Sequence, residues 1–333
     1  MKAITYSRYG PPDVLQLSQV RTPVPKDDEV LIRVRAAEAT KADCEMRSFK
    51  FAVQWFWLPL RLALGVTRPR RQILGGYFAG EIAAVGRDAA TFSVGDEVYG
   101  STGMRMGAYG EYVALPARST IAVKPKNMSF SEAAAVPLGG LNALHFMRLA
   151  GINLGERVLI IGAGGSIGLH AVQIARSMGA EVTAVDSAIK EALVRRLGAA
   201  HFVDYAREDL ASRRETYDVI FDMVPASSYR ACIKALNAHG RYLCGNPRLS
   251  VMVRAPLTTR FTSKSARFAF AGETKDELVA LTEMIEAGAI QPIVDRVFPM
   301  EQAPAAHRLV ETERRLGAIV IAIGGDAATP GLA

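Results

Sequence analysis

Between Arg157 and Gly168 the chain sets four apolar residues, Val158-Leu159-Ile160-Ile161, directly before Gly162-Ala163-Gly164-Gly165-Ser166-Ile167-Gly168. An apolar run with no polar side fits a strand covered on both faces of a parallel sheet. Ile167, Ala171, Ile174, Ala175 and Met178 then recur at helical spacing up to Gly179. Strand, glycine-rich turn and helix in that order make a cradle for a diphosphate. The glycines let the backbone turn tightly and come close, and the N–H groups that open the helix meet the negative charge. Gly162, Gly165, Ser166, Ile167 and Gly168 are the residues expected to line it. The bland alternative, a tight strand–helix turn that holds nothing, is weakened by the whole context.

A second strand, Glu181 to Val185, ends at Asp186, about twenty residues past the loop, where a carboxylate would accept from ribose hydroxyls. Such a charge repels an extra phosphate on that ribose, so NADH is the favoured cofactor. Lys190, Arg195 and Arg196 lie close by and keep NADPH open. Asp186 or Ser187 could equally cap a helix from Ala188 to Leu197.

The elements that must position this loop alternate regularly. Residues 1 to about 123 look β-rich, with Val30, Ile32 and Val34 alternating against Leu31, Arg33 and Arg35. From about 124 to 272 strands and helices take turns: a strand at His201–Tyr205, a strand at Tyr217–Asp222, a helix at Ala226–Ala238 and strands at Arg241–Gly245 and Arg267–Ala271. That succession predicts a doubly wound parallel sheet. Lys275–Ala287 reads as a helix with Leu278, Leu281 and Ile285 on one face. Ile319–Ile323 reads as a last strand returning to the first domain. A small-molecule site is expected in the cleft between the two domains.

At 333 residues and 50% hydrophobic content the chain can hold two such cores. Its net charge of +7 suits anionic cofactors, coenzyme A thioesters or acidic lipid. No basic repeat or reader motif accompanies it, so nucleic acid is not an expected partner. Cys44, Cys232 and Cys244 have neither metal-type nor disulfide-type spacing, and Lys2, Arg8 and Pro11-Pro12 break up any apolar leader. A reducing, cytoplasmic setting is expected, with a loose tail from Gly324.

Several segments together carry a family resemblance. They are Tyr9-Gly10-Pro11-Pro12-Asp13-Val14-Leu15, Ala79-Gly80-Glu81 with Val85-Gly86, Val94-Gly95-Asp96-Glu97-Val98-Tyr99-Gly100, Gly107-Ala108-Tyr109-Gly110-Glu111-Tyr112, Ala133-Ala134-Ala135-Val136-Pro137, the glycine loop, and Gly317-Ala318-Ile319-Val320-Ile321. With them the chain resembles the medium-chain dehydrogenase/reductase superfamily, in its zinc-free, quinone-oxidoreductase-like branch. The resemblance implies an α/β protein: a GroES-like β-barrel catalytic domain from residues 1–123 and 273–333, and a Rossmann dinucleotide-binding domain from 124–272. It also implies a homodimer.

The zinc-dependent relatives hold their metal with a cysteine where this chain has Thr40, a Gly-His-Glu triplet where it has Gly75-Gly76-Tyr77, and a cysteine near Leu138. Catalytic zinc draws three ligands from cysteine, histidine and carboxylate, so the resemblance implies no zinc. Without a Lewis acid, the chemistry that fits is hydride transfer from NAD(P)H to an already polarised acceptor, a quinone or an α,β-unsaturated carbonyl. Charge then gathers on the carbonyl oxygen, and hydrogen bonds aimed there stabilise it.

Thr40 stands where relatives place a polar residue facing cofactor or substrate, and its hydroxyl could be that donor. Tyr77 replaces a common acidic residue and either walls the pocket or donates a proton, the wall being the more usual role of a packed tyrosine. Lys41 stands where some relatives hold the pyrophosphate, and Asn142 replaces a usual threonine that meets phosphate or nicotinamide. Tyr205 resembles an adenosine-side contact. The loops at Val224, Gly245-Asn246 and Phe268–Phe270, Phe270 included, correspond to segments around the nicotinamide. Ala318 replaces a common lysine, and Tyr109 reads as structural, in a strand pair of the barrel.

One segment departs from the pattern. Phe51 to Leu60 is strongly apolar, holds both tryptophans, Trp55 and Trp57, and is followed by Arg61, Arg68, Arg70 and Arg71. It is too short and too charged to span a bilayer. It reads as core or dimer contact, as aromatic clusters usually do, or as an apolar lid that would make Trp55 and Trp57 substrate contacts for a lipophilic acceptor. The third reading is a contact with a lipid surface.

Overall fold

The structure, a computed structural model, describes residues 1–51 and 57–324; Trp55 and the tail beyond Gly324 lie outside the described residues. Among these the strands form two large sheets and a short ribbon. The ribbon pairs β1 (Lys2–Thr5) with β2 (Gln16–Gln19). β3 (Glu29–Ala39) is the long inner strand of the first large sheet, with Val30, Ile32 and Val34 buried as the alternation predicts. Helices α1 (Lys41–Ser48) and α2 (Trp57–Leu64) follow. Then come β4 (Tyr77–Val85), β5 (Glu97–Ser101), β6 (Tyr112–Pro116) and β7 (Ile121–Val123), all joined antiparallel.

Two helices, α3 (Phe130–Ala134) and α4 (Pro137–Ala150), lead to the second sheet. Its strands are β8 (Arg157–Ile161), β9 (Glu181–Asp186), β10 (His201–Asp204), β11 (Tyr217–Asp222), β12 (Leu236–Cys244) and β13 (Ser265–Phe268). All are parallel, in the order β10-β9-β8-β11-β12-β13. Their crossovers carry α5 (Ser166–Ser177), α6 (Glu191–Arg196), α7 (Tyr229–Ala235) and α8 (Leu249–Phe261). The direction of winding reverses between β8 and β11, and a crevice at the carboxyl ends of such strands is where ligands bind. The chain ends through α9 (Lys275–Glu286), β14 (Val294–Pro299), α10 (Ala303–Glu311) and β15 (Ala318–Ala322). β15 slots between β14 and β3 of the first sheet.

Val158, Leu159 and Ile160 are fully buried and Ile161 nearly so, a burial that stabilises by about 1.5–3 kcal/mol for each such side chain. Ala36, Ala79, Tyr99 and Val320 of the first sheet share one continuous apolar cluster with Val158 and Ile160 of the second and Leu169 of α5. The two sheets are thereby packed into one body around the cleft.

Three expectations need correction. The helix expected at Ala226–Ala238 covers only Tyr229–Ala235, and β12 already begins at Leu236. The side-chain amide of Asn237 donates to Asp218 of β11 at 2.7 Å, and strand pairing overrides helical propensity there. The edge strand lies at Ser265–Phe268, earlier than expected. α8 was not anticipated: it carries Pro256 internally, and Leu249, Val253, Leu257 and Phe261 are exposed, so its pattern does not announce a core-facing stripe.

Candidate active site

β8 feeds straight into the glycine loop. Gly162 adopts φ +84°, a left-handed conformation that a side chain would strain. A Cβ at Gly168 would stand 2.2 Å from the carbonyl oxygen of Gly162, so only glycine lets α5 begin this close to the loop. Gly165 is the N-cap of α5, and no side chain caps that helix. By contrast α1, α3 and α9 are closed by the capping boxes Thr40–Asp43, Ser129–Glu132 and Thr274–Glu277. The first N–H groups of α5 therefore lack a side-chain acceptor at the positive end of a twelve-residue helix, which a diphosphate would supply. The loop fits a dinucleotide.

Asp186 ends β9 as expected, and its carboxylate braces this loop: Oδ2 accepts the Gly164 N–H and Oδ1 the Ser187 N–H, each at 2.8 Å. Lys190 is buried, lays its stem against Gly164 and brings Nζ within 3.5 Å of Asp186 Oδ1. The sequence located both residues but not this ion pair on the loop itself.

Val224, Gly245 and Asn246 converge where β11 and β12 end. Asp222 takes the Val224 N–H at 3.0 Å on its carboxylate, and its backbone carbonyl takes the Gly245 N–H at 3.2 Å. Asn246 donates to the Met223 carbonyl at 3.1 Å. Burial pushes the Asp222 carboxyl up, despite hydrogen bonds from Ser227, Val224 and Tyr242. A Cβ on Gly162 would meet Val224 at 3.0 Å, so these loops border the glycine loop. Tyr205 and Phe270 are more than half exposed. Asn142, on α4, turns its amide back to the Leu138 carbonyl at 2.9 Å.

The end of β3 touches the start of α5. Glu38 is buried; its Oε1 accepts the Ser166 hydroxyl at 3.1 Å, while Oε2 has no partner. Burial, only partly offset by the charge of Arg315 and the bond from Ser166, pushes the Glu38 carboxyl up to about 8. Two residues on, Thr40 accepts the Asp43 N–H at 3.0 Å and donates its own proton to Asp43 Oδ2 at 2.6 Å. Asp43 Oδ1 also takes the Gly75 N–H at 3.0 Å. The hydroxyl expected to face an acceptor is thus committed to a helix cap, a role typically worth about 1 kcal/mol.

Tyr77 opens β4 opposite Ser101 of β5. Its phenol donates to Glu273 Oε1 at 2.6 Å, and the Ser101 hydroxyl donates to Oε2 at 2.8 Å. Glu273 adopts φ +48°, uncommon for a residue with a Cβ, and the Thr120 hydroxyl holds its carbonyl. Burial first, and then the charge of Glu273, hold the Tyr77 phenol well above its ordinary value, so it remains a donor. Sequence reasoning missed both Glu273 and Ser101. The available signal is that Thr274 and Glu277 complete the cap of α9 and leave the glutamate before them without a helical role.

Lys41 pairs with Glu313 at 2.5 Å and lines a surface cavity of about 450 Å³ between α1 and α10, to which the second sheet contributes nothing. Tyr109 is buried and structural, but in a turn and not a strand. It lies 3.0 Å from His307 Nε2, while Cys44 and Arg47 sit at Nδ1. Burial and then the Arg47 charge hold the imidazole down to about 3, so His307 is a neutral packing residue. Trp57 is half exposed, which overturns its reading as core; it packs edge-on to Phe49 with ring centroids 6.1 Å apart.

Among the described residues no group of three or more His, Cys, Asp or Glu is placed to hold a metal ion. Thr40, Tyr77 and Leu138 offer no thiolate, imidazole or carboxylate.

Residues 26–125 match the alcohol dehydrogenase GroES-like domain, residues 197–321 the zinc-binding dehydrogenase model, and residues 133–227 the C-terminal domain of alanine dehydrogenase/PNT. A 2-methylene-furan-3-one reductase of Solanum lycopersicum is 31% identical over 333 residues, covering 96% of this chain and 79% of that protein. A chloroplastic NADPH-dependent alkenal/one oxidoreductase of Arabidopsis thaliana is 29% identical, with the same coverage of 96% and 79%. The solved structure of the quinone oxidoreductase from Coxiella burnetii matches with a TM-score of 0.86 at 28% identity, covering 97% of this chain and 99% of that one. The chain belongs to the medium-chain dehydrogenase/reductase superfamily, among its quinone-oxidoreductase-like members. It is an oxidoreductase, and its cofactor is a nicotinamide dinucleotide.

Proposed function

We propose that this protein is a zinc-independent reductase that passes hydride from NAD(P)H to a quinone or an α,β-unsaturated carbonyl of apolar character. The observation that carries the reading is the Glu38–Ser166 hydrogen bond. It sets the strand end bearing Thr40 directly against the first turn of the dinucleotide loop, so a bound hydride donor and an acceptor beside Tyr77 share one chamber. The names of the relatives, which are enone, alkenal and quinone reductases, support the same acceptor class.

The bound cofactor supplies the hydride. The uncapped start of α5 and the glycines hold its diphosphate, and Asp186 accepts from its ribose. Val224, Gly245 and Asn246 border the nicotinamide side. Tyr77 walls the acceptor, its O–H bonded to Glu273, and Thr40 is committed to Asp43. Solvent therefore delivers the proton that completes reduction. Asp186 favours NADH, and Lys190 offsets enough of its charge to admit NADPH.

A homodimer fits the second sheet, whose edge strand β13 is flanked by the exposed Leu249, Val253, Leu257 and Phe261 of α8. Its three cysteines are free and buried, which suits a cytoplasmic setting.

The test follows NADH and NADPH absorbance with a chelator present, against quinones, enones and enoyl thioesters. Turnover that survives the chelator is the expected result. Oxidation of alcohols alone, abolished by chelator, overturns the reading. The commitment of both candidate donors, Thr40 and Tyr77, favours one rival: a chain that binds dinucleotide but does no chemistry. Saturable NADH binding with no turnover on any acceptor would establish that rival.

A further inference from the structure

α2 is an eight-residue helix, WLPLRLAL, of which no residue is buried. Leu58 and Leu62, one helical turn apart, are 61% and 57% exposed, Val66 just beyond is 54% exposed, and Trp57 beside them 49%. A helix this apolar ordinarily turns such a stripe inward. Here it is held the other way. The Arg61 guanidinium lies over the rings of Tyr9 and Phe49, at 4.6 and 4.2 Å from their centroids. The Tyr9 hydroxyl donates to the carbonyls of Leu64 and Gly65 at 3.1 and 2.9 Å. The one charged side chain of α2 thus fastens the helix to the body while Leu58 and Leu62 face solvent.

Along its own stretch of chain the charge is of one sign. No Asp or Glu occurs from residue 46 to residue 80. Lys50, Arg68, Arg70 and Arg71, all exposed, flank the helix. A fixed apolar stripe rimmed by cations is complementary to a surface that is apolar beneath and anionic above. We propose that α2 and its basic rim seat this protein on an anionic lipid bilayer, with Leu58, Leu62 and Trp57 entering the headgroup boundary and Arg68 and Arg71 meeting the lipid phosphates. At eight residues α2 is about 12 Å long, and a helix of that length lies in the interface without spanning it. Among the described residues no helix is long and apolar enough to cross a membrane. Seating needs no turnover, so the proposal stands apart from the reductase reading.

The test uses the full chain and two kinds of vesicle, phosphatidylcholine alone and phosphatidylcholine with about 30% phosphatidylglycerol. Trp57 lies at the proposed contact, so its intrinsic fluorescence reports insertion directly. Partition is expected to be about tenfold or more stronger on the anionic vesicles and to fall away at about 0.5 M salt. The double variant Leu58→Asp/Leu62→Asp, and separately Arg68→Glu/Arg71→Glu, should each lose about tenfold in partition while keeping wild-type NADH affinity and melting temperature. Failure to bind either vesicle overturns the proposal. So does a leucine variant that changes only the oligomeric state, which would make α2 a contact between copies. A leucine variant that binds vesicles normally but raises KM for soluble apolar acceptors also overturns it, and would make α2 a lid.

Discussion

The phenolic oxygen of Tyr77 stands 2.6 Å from Oε1 of Glu273, a residue 196 positions later in the chain. Ser101 occupies the other oxygen of the same carboxylate. One glutamate therefore ties the start of β4 to the segment that leads into α9.

Tyr77→Phe keeps the ring and removes only that bond. The variant should unfold at lower urea, by about 1.5–3 kcal/mol, because a carboxylate loses a charged hydrogen bond. Its kcat should stay close to that of the wild type. A fall of roughly 10²-fold or more at unchanged NADH affinity would assign the proton transfer to this phenol instead.

Glu38 makes stability depend on pH with a definite sign. Its carboxyl is pushed up to about 8 from 4.5, so between those values the native state holds a proton that the unfolded chain has released. Stability must therefore fall as pH rises through this window and level off above it. Glu38→Gln copies the protonated form and removes the dependence. Near pH 4.5 the two proteins should melt alike, and by pH 8.5 the variant should be ahead by ~2–5 kcal/mol. Parallel melting curves at all pH values would show that Glu38 ionises freely.

Variants of the Lys190–Asp186 pair at the end of β9 test cofactor choice. Lys190→Ala should reduce kcat/KM for NADPH by about tenfold or more while NADH suffers less, since an isolated Asp186 charge then faces the added phosphate. Asp186→Ser should shift preference toward NADPH but also cost stability, because the Gly164 N–H loses its acceptor. Steady-state kinetics with both cofactors, together with melting curves, separate the two effects.

Gly168→Ala tests the close approach of α5 to its loop. The added methyl would press on the Gly162 carbonyl and force the helix back, at about 1–3 kcal/mol. NADH affinity should drop by more than that destabilisation alone accounts for in the folded fraction. Calorimetric titration at a temperature where the variant is fully folded measures it.

The glycine loop, Asp186 and the alternating strands of the second sheet were legible because each is written in neighbouring residues. The meeting of Glu273 and Ser101 with Tyr77 was not, since it depends on chain segments brought together from 172 and 196 positions away. Glu38 left a faint mark: it occupies an even position on a strand whose even residues, Val30, Ile32 and Val34, face inward. The spacing of Thr40 to Asp43 spells a capping box as well as a candidate donor, and the cap took the hydroxyl. α8 escaped notice for the opposite reason, as Leu249, Val253, Leu257 and Phe261 face solvent and only Val251 and Ala255 are buried.

β15 closes the first sheet by pairing with β3, although Ala39 and Ala318 are far apart in synthesis. At about 5–20 residues per second, roughly 15–60 s pass between translation of the two. Throughout that interval the Ala36–Ala39 end of β3 presents an unpaired edge, the kind that invites wrong partners in a crowded cell. The parallel sheet, drawn from one continuous stretch between Arg157 and Phe268, can close without waiting. A nascent chain would thus hold its cofactor half first and depend on chaperones for the other, so a lesion in β15 should surface as poor yield before it surfaces as poor activity.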